Sequence, residues 1–271
     1  MGEIGPLTIA VCVKFCPDTA QLKADPQTGA PRLDEAPQRI STFDENALEE
    51  AVRLKETHGG RVIAVSLAAQ APPPELGLRV LAMGADERRV IVDTTAGRAD
   101  ALATSRILAA ALKRLGRLDL VICGEGSLDA YNRQVGPRVA EELEIPVLSH
   151  VTRIEARDGR LLIHRALEDR TVIVTAALPL LLTVGQEINQ PRFPTVLQIK
   201  GASSKPVTTW GLPDLGFGQD DTAEKMSGVT TLDVSAPARP RLQIPIEGAT
   251  AAELARELAG KLFEQGLVKI E

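Results

Sequence analysis

Aromatic side chains are scarce in this chain of 271 residues: one Trp, one Tyr and five Phe. The interior must therefore be aliphatic and alanine-rich, and rows of base-stacking rings are excluded. Cysteine is equally sparse. Cys12, Cys16 and Cys123 are too few and too scattered for a disulfide framework. The C-x-x-x-C pair has no histidine near it in sequence and does not match zinc spacing, so no metal site is expected. No apolar run approaches the ~20 residues that cross a bilayer, which argues against direct membrane insertion. Neither sign of charge dominates. Lys and Arg total 31 against 36 Asp and Glu, mixed along the chain, so nothing electrostatic favours nucleic acid. The opening Met-Gly-Glu-Ile-Gly-Pro lacks a charged n-region, and with so few cysteines a cytoplasmic protein is expected. Catalytic motifs are missing too. His58, His150 and His164 have no acid or nucleophile pattern beside them, and there is no G-x-S-x-G, metalloprotease helix or Walker lysine. The expectation is a binding protein with no catalytic residue.

What is present is a pattern of α/β units. Leu7–Val13 is a continuous apolar run rich in β-branched residues, as in a strand covered on both faces. A polar, proline-bearing excursion from Lys14 to Arg39 follows and predicts at most a short hairpin. Thr42-Phe43-Asp44-Glu45 reads as a capping box opening a helix that Gly59-Gly60 stops. Strands at Arg61–Leu67, Val90–Val92 and Leu118–Cys123 alternate with helices at Pro74–Met83 and Ala99–Leu115. Short links between them predict a parallel sheet with right-handed crossovers. Another helix is expected from Gln134 to Glu144. From Val151 the period becomes two, with Arg160–Arg165 and Thr171–Thr175 as antiparallel neighbours, then a buried strand at Leu180–Val184. From Gly201 to Arg241 the chain is aperiodic, and a helix from Ala249 to Gln265 closes it. The expected organisation is an α/β domain over residues 1–200 and an arm with a helix over 201–271 that packs on another subunit.

The loop from Gly124 to Gly136 lies where doubly wound sheets bind ligands, past a strand's C-terminal end and before a helix. Gly124 and Gly126 would let backbone approach a ligand; Ser127, Asn132 and Gln134 offer neutral hydrogen bonds, and Arg133 could meet a phosphate. Asp129 stands where a dinucleotide fingerprint would have its third glycine. Taken alone, the loop reads equally well as a surface loop with capping residues.

Several segments together resemble the electron-transfer flavoprotein β family over nearly the whole chain. They are Cys12-Val13-Lys14 with Pro17-Asp18-Thr19, the helix Phe43–Lys55, Ala82–Asp86, and Gly124 through Gln134-Val135-Gly136-Pro137. Most specific is Leu178-Pro179 followed by Ile188-Asn-Gln-Pro-Arg-Phe-Pro194. The resemblance implies a Rossmann-like sheet of the adenine-nucleotide hydrolase-like type. It also implies an α-subunit partner that holds the redox FAD, and a structural AMP in this chain. The implied nucleotide-lining positions are Cys12, Ser41, Thr42, Phe43, Asp44, Leu67, Ile122, Cys123, Gly124, Gly126, Ser127, Asp129, Asn132, Arg133, Gln134, Val135 and Gly136. The segment Arg192–Lys200 resembles the family's recognition loop for acyl-CoA or other flavin dehydrogenases. Phe193, Val196 and Lys200 are its implied docking residues, with Val196 in place of the usual leucine anchor. A quinone-side oxidoreductase is the implied acceptor.

The chain departs from that family in places. The lysine run after the recognition loop is thinned to Lys200-Gly-Ala-Ser-Ser-Lys205. Ala166 follows Arg165 where a glutamate is frequent, and Ser41-Thr42 replaces an Asn-Pro pair. The closest alternative is a flavin-bifurcating relative with a second FAD in the AMP position. Those tend to carry small residues where this chain has Ala130, Tyr131, Asn132 and Arg133, which favours AMP. An adenine-nucleotide-binding enzyme or stress protein of the same fold is the alternative of another class. Lys14-Phe15-Cys16-Pro17 cannot supply the phosphate loop of such an enzyme.

Overall fold

The computed structural model describes residues 4–157, 159–235 and 243–268, and divides into a unit running to Val234 and a second from Ser235 onward. The first unit is built on a nine-stranded sheet. Its strands are β1 (Leu7–Cys12), β4 (Gly60–Ala68), β5 (Glu87–Val92), β6 (Leu120–Gly124), β7 (Val147–Arg157), β8 (Arg160–Ala166), β9 (Thr171–Ala176), β10 (Leu180–Val184) and β11 (Val207–Trp210). The spatial order is β11-β5-β4-β1-β6-β10-β7-β8-β9. Neighbours from β11 to β7 are parallel, and β7-β8-β9 are antiparallel. The mixed α/β sheet with its late antiparallel extension is thus the expected Rossmann-like arrangement.

The apolar runs are continuous because helices cover both faces. Leu7, Ile9 and Val11 point into one core with Leu48, Ala51 and Val52 of α1 (Thr42–His58) and Val80 and Leu81 of α2 (Pro74–Ala82). Ala10 and Cys12 point the other way, against Ile107, Leu108 and Leu112 of α3 (Ala101–Arg114) and Val139 and Ala140 of α4 (Val135–Leu143). Along β9 the side chains alternate between exposed and half-buried, as a strand beyond the helical layers should.

The excursion after β1 does contain a small hairpin, β2 (Phe15–Pro17) with β3 (Gln38–Ile40). The expected capping box on α1 does not form. Ser41 is the N-cap and makes no side-chain cap bond, so Thr42 is already helical. Asp44 turns instead to backbone amides of other segments. A true capping box sits on α5 (Val196–Ala202), between Thr195 and Gln198. Gly60 must be glycine: its φ is +103°, and a Cβ there would lie 2.0 Å from the Leu7 carbonyl oxygen.

The stretch after residue 200, read from sequence as the start of an arm, belongs to the first unit as far as Val234. β11 extends the sheet beside β5. Lys205 Nζ donates to the carbonyls of Leu81 (2.8 Å) and Ala85 (2.6 Å), tying this stretch to the end of α2. The amides of Gly228 and Val229 donate to Asp100, the N-cap of α3. The second unit contains α6 (Ala251–Glu264), capped by Thr250, with Leu254, Leu258 and Phe263 exposed along it. No helix among the described residues is long and apolar enough to cross a membrane.

Candidate functional site

Parallel strands bring their C-terminal ends to one rim. β1 lies between β4 and β6, with Cys12 opposite Val65, while Leu120, Val121 and Ile122 face Ile9, Ala10 and Val11. Cys12 and Cys123 are both buried at this rim. Contact with the Cys12 thiol and burial raise the Cys123 thiol well above its ordinary range, and burial, followed by Asp129, pushes Cys16 up to about 12. The Cys16 and Cys123 thiols are therefore neutral at physiological pH, small core residues and not nucleophiles.

Asp44 is the knot of the rim. Its carboxylate accepts the Lys14 amide (2.8 Å) and the Gly124 amide (3.3 Å), so the exits of β1 and β6 are fastened to the first turn of α1. Burial raises its pKa to about 7, against the opposing pull of those two amides. Ser41, one turn earlier, is completely buried, and its hydroxyl has no partner among the described residues. Ser66, beyond Val65 on β4, is likewise buried and unpaired among the described residues, and the sequence offers no sign of it.

The loop after β6 folds back over α1. Phe43 and Tyr131 stack with ring centroids 5.2 Å apart, and the Arg133 guanidinium covers the outer face of Tyr131 at 4.4 Å. Tyr131 donates its hydroxyl proton to Glu125, whose other oxygen lies 3.4 Å from His150 Nδ1. Tyr131 and Arg133 both have left-handed backbone, with φ of 43° and 59°. Lys14 Nζ reaches across to Asp129 at 2.7 Å, with Ser127 Oγ at 3.5 Å. Burial opposes the Asp129 charge, but Lys14, the Ser127 hydroxyl and the Ala130 amide together hold the carboxyl below its usual value.

The glycines here let the protein pack closely on itself. A Cβ on Gly124 would lie 2.5 Å from Asp44 Oδ1 and 2.7 Å from the Phe43 Cβ, and one on Gly126 would strike the Tyr131 ring at 2.4 Å. Gly136 lets α4 sit on β10, since a Cβ would meet Thr183 at 2.5 Å. Asn132 accepts the Gln134 amide at 3.2 Å, and Val135 opens α4 without a side-chain cap. Thus Cys12, Ser41–Asp44, Ile122–Gly124 and the loop to Gly136 are neighbours. Leu67, next to Ser66 on β4, is half-buried, opposite Ile91 and against the second core.

Orphaned Ser41 and Ser66 hydroxyls flank the β1 exit, and the starts of α1 and α4 face the same rim. That donor set fits a nucleotide with one polar edge and an anionic end. Lys14 and Arg133 are already engaged with Asp129 and Tyr131, so an anion would meet mainly backbone amides and hydroxyls.

Phe193, Val196 and Lys200 lie elsewhere, around α5, which packs on α2. Phe193 is 84% exposed and Val196 70%, and the unforeseen Leu197 beside it is 81% exposed. The segment before them is strapped to α1. Asn189 exchanges amide hydrogen bonds with Asn46 and donates to Glu50 (3.0 Å). Arg192 forks onto buried Glu49 (2.9 and 3.1 Å) and onto Glu56. Those two carboxylates, Glu56 first, raise the Arg192 pKa. Burial works against the charge of Glu49, yet its bonds from Arg192 and Arg53 hold its carboxyl below the usual range.

Comparison with known proteins follows the same lines. The electron transfer flavoprotein domain profile matches residues 33–215. The chain is 34% identical to the Caffeyl-CoA reductase-Etf complex subunit CarD of Acetobacterium woodii, over 97% of this chain and the whole of that one. It is 39% identical to the electron transfer flavoprotein subunit beta of Clostridium acetobutylicum, covering 77% of this chain and 80% of the relative. The protein of the same description from Thermoanaerobacterium thermosaccharolyticum is 36% identical, over 85% and 88%.

Proposed function

Because the chain belongs to the electron transfer flavoprotein β-subunit family, we propose that it is the nucleotide-holding half of an electron-carrying heterodimer. An adenylate sits at the rim of β1, β4 and β6 as a structural ligand. The α subunit supplies FAD, which carries the electrons when bound. The residues of this chain position that partner and present a docking surface, with no bond made or broken in the adenylate. The observation that carries the reading is the buried, unpartnered Ser41 hydroxyl where the β1 exit, the α1 start and the β6–α4 loop converge.

In this reading Ser41 and Ser66 take the polar edge of the ligand, and the amides opening α4 take its phosphate. Bound only by the folded state, the adenylate stabilises it by mass action. Phe193, Val196 and Leu197 form an apolar tip for a flavin dehydrogenase of the acyl-CoA class or another, and a quinone-side oxidoreductase accepts the electrons. The setting is the cytoplasm. Tyr131 and Arg133, folded over Phe43, favour a mononucleotide over a second FAD.

The test is purification of the intact complex followed by release and mass analysis of its small molecules. One adenylate and one flavin per heterodimer are expected. Two flavins without adenylate would replace this reading with the bifurcating one. Neither group at the rim would remove it.

A further inference from the structure

A hollow lies away from the rim of β1 and β6, on the edge of the sheet where β4, β5 and β11 lie side by side. Arg61 and Ile63 of β4, Glu87 and Arg89 of β5, and Thr208 and Trp210 of β11 project onto one face, and the C-terminal end of α3 closes it with Arg114 and Leu115. The cavity is about 290 Å³, near the lower end of small-molecule sites at roughly 300 Å³.

The charges in this hollow do not balance. Three guanidiniums share one carboxylate. Glu87 is engaged by Arg89 in a short contact and approached by Arg61 at 3.6 Å. Arg89 is further tied to Thr208 Oγ1 at 3.0 Å. Among the described residues Arg114 has one acceptor, the neutral Asp214 carbonyl. Arg89 and Arg114 both lie over the Trp210 ring, at 5.8 and 5.5 Å from its centroid. Two like charges against one indole, with no carboxylate for Arg114 among the described residues, leave planar donors in excess around an apolar floor of Ile63, Leu115 and the indole. Guanidinium forks of this kind match a carboxylate or phosphate in two-point fashion.

We propose that this hollow binds a compact oxyanion carried on a flat apolar body, such as an aromatic carboxylate, with Arg114 and Arg61 on the anion and Trp210 beside the body. The site is separate from the nucleotide rim, and its occupancy does not depend on the adenylate.

Trp210 is the chain's single tryptophan and so a built-in reporter. Fluorescence of the full-length chain, and calorimetry of the intact complex, are followed during titration with benzoate, phenyl phosphate, inorganic phosphate and, at matched ionic strength, chloride. Saturation by benzoate or phenyl phosphate but not by chloride is expected. Arg114→Gln should weaken binding about tenfold, the loss of one charge-assisted contact. Arg98→Gln, an exposed arginine paired with Glu224 elsewhere, should leave it unchanged. Should Arg114→Gln fail to fold, Arg61→Gln, whose side chain is 53% exposed, carries the test with a several-fold loss. The proposal is overturned by the absence of saturation above chloride, by undiminished affinity in the folded arginine variants, or by inorganic phosphate binding as tightly as benzoate.

Discussion

Replacing Arg192 by alanine should destabilise the first unit far more than its position on a loop suggests. The Glu49 side chain is only 3% exposed, whereas Arg192 is 27% and Glu56 52% exposed. Removing one partner of a fully buried ion pair costs about 3–5 kcal/mol, because the remaining charge is left without compensation. An exposed pair contributes about 0–1 kcal/mol. Arg192 falls between these limits, since one side of it meets solvent and Arg53 still holds a Glu49 oxygen at 2.8 Å. The expected loss is therefore about 2–3 kcal/mol. For a unit of this length that lowers the thermal midpoint by about 5–10 °C, read by circular dichroism of the purified complex. Glu56→Ala, which touches only the exposed arm, should cost about 1 kcal/mol or less. The dependence on pH has a definite sign. Glu49 titrates below its ordinary value in the folded state, so the Arg192 contribution is present above the unfolded glutamate range. It is lost as pH falls through the folded value, and the gap between wild type and variant narrows in acid. A midpoint change under about 2 °C for Arg192→Ala, or equal damage from Glu56→Ala, would refute the reasoning.

Asp44 should act in the opposite sense. Its folded pKa is raised to about 7, so the cost of burying its charge is present above that pH and is relieved as pH falls towards the unfolded range near 4. Urea midpoints of wild type should therefore rise from pH 8 to pH 5, and Asp44→Asn should flatten that slope; identical slopes would show that Asp44 is not the titrating group. Gly124→Val should drive its new side chain into Asp44 and Phe43, lowering thermal stability and the adenylate recovered per complex together; normal assembly with full adenylate would separate the rim from the pocket. Val196→Asp should slow electron transfer from the donor dehydrogenase by more than tenfold without changing flavin or adenylate content, since a carboxylate buried in an apolar pocket costs several kcal/mol. Unaltered donor kinetics would take the docking role away from α5.

The parallel centre of the sheet was legible because its strands are buried on both faces and read as unbroken apolar runs, as Leu7–Val13 does. The antiparallel hairpin of β8 and β9 was legible for the opposite reason, its alternation. β11 was not: it has four residues, alternates exposed and half-buried, and pairs only with β5, more than a hundred residues earlier. The misplaced capping box has a local cause. Thr42 and Glu45 have the right spacing, but the extended residue is Ser41, and Asp44 finds better partners in the amides of Lys14 and Gly124. Of the candidate site, the segments were readable but the contacts were not. Nothing in the order of residues discloses that Tyr131 lies on Phe43, or that the unpaired hydroxyls belong to Ser41 and Ser66. The Asn189–Arg192 motif could be seen as a pattern, yet its partners Asn46, Glu49, Glu50 and Glu56 are some 140 residues away.

That strap bears on how the chain reaches its native state. The closure joining α1 to residues 189–192 spans 136 to 143 residues, more than half of the first unit, and contacts of such separation form late because their loop entropy must be met first. Synthesis from the N-terminus exposes α1 with Glu49 held only by Arg53 of the same helix, and Glu50 without its Asn189 amide, until β10 and the segment after it have emerged. During that interval the sheet lacks the strand between β6 and β7, and the apolar faces of β6 and α4 stand open. The nascent chain is thus most vulnerable to aggregation when about two thirds of it has been made, and docking of Arg192 marks the end of that window.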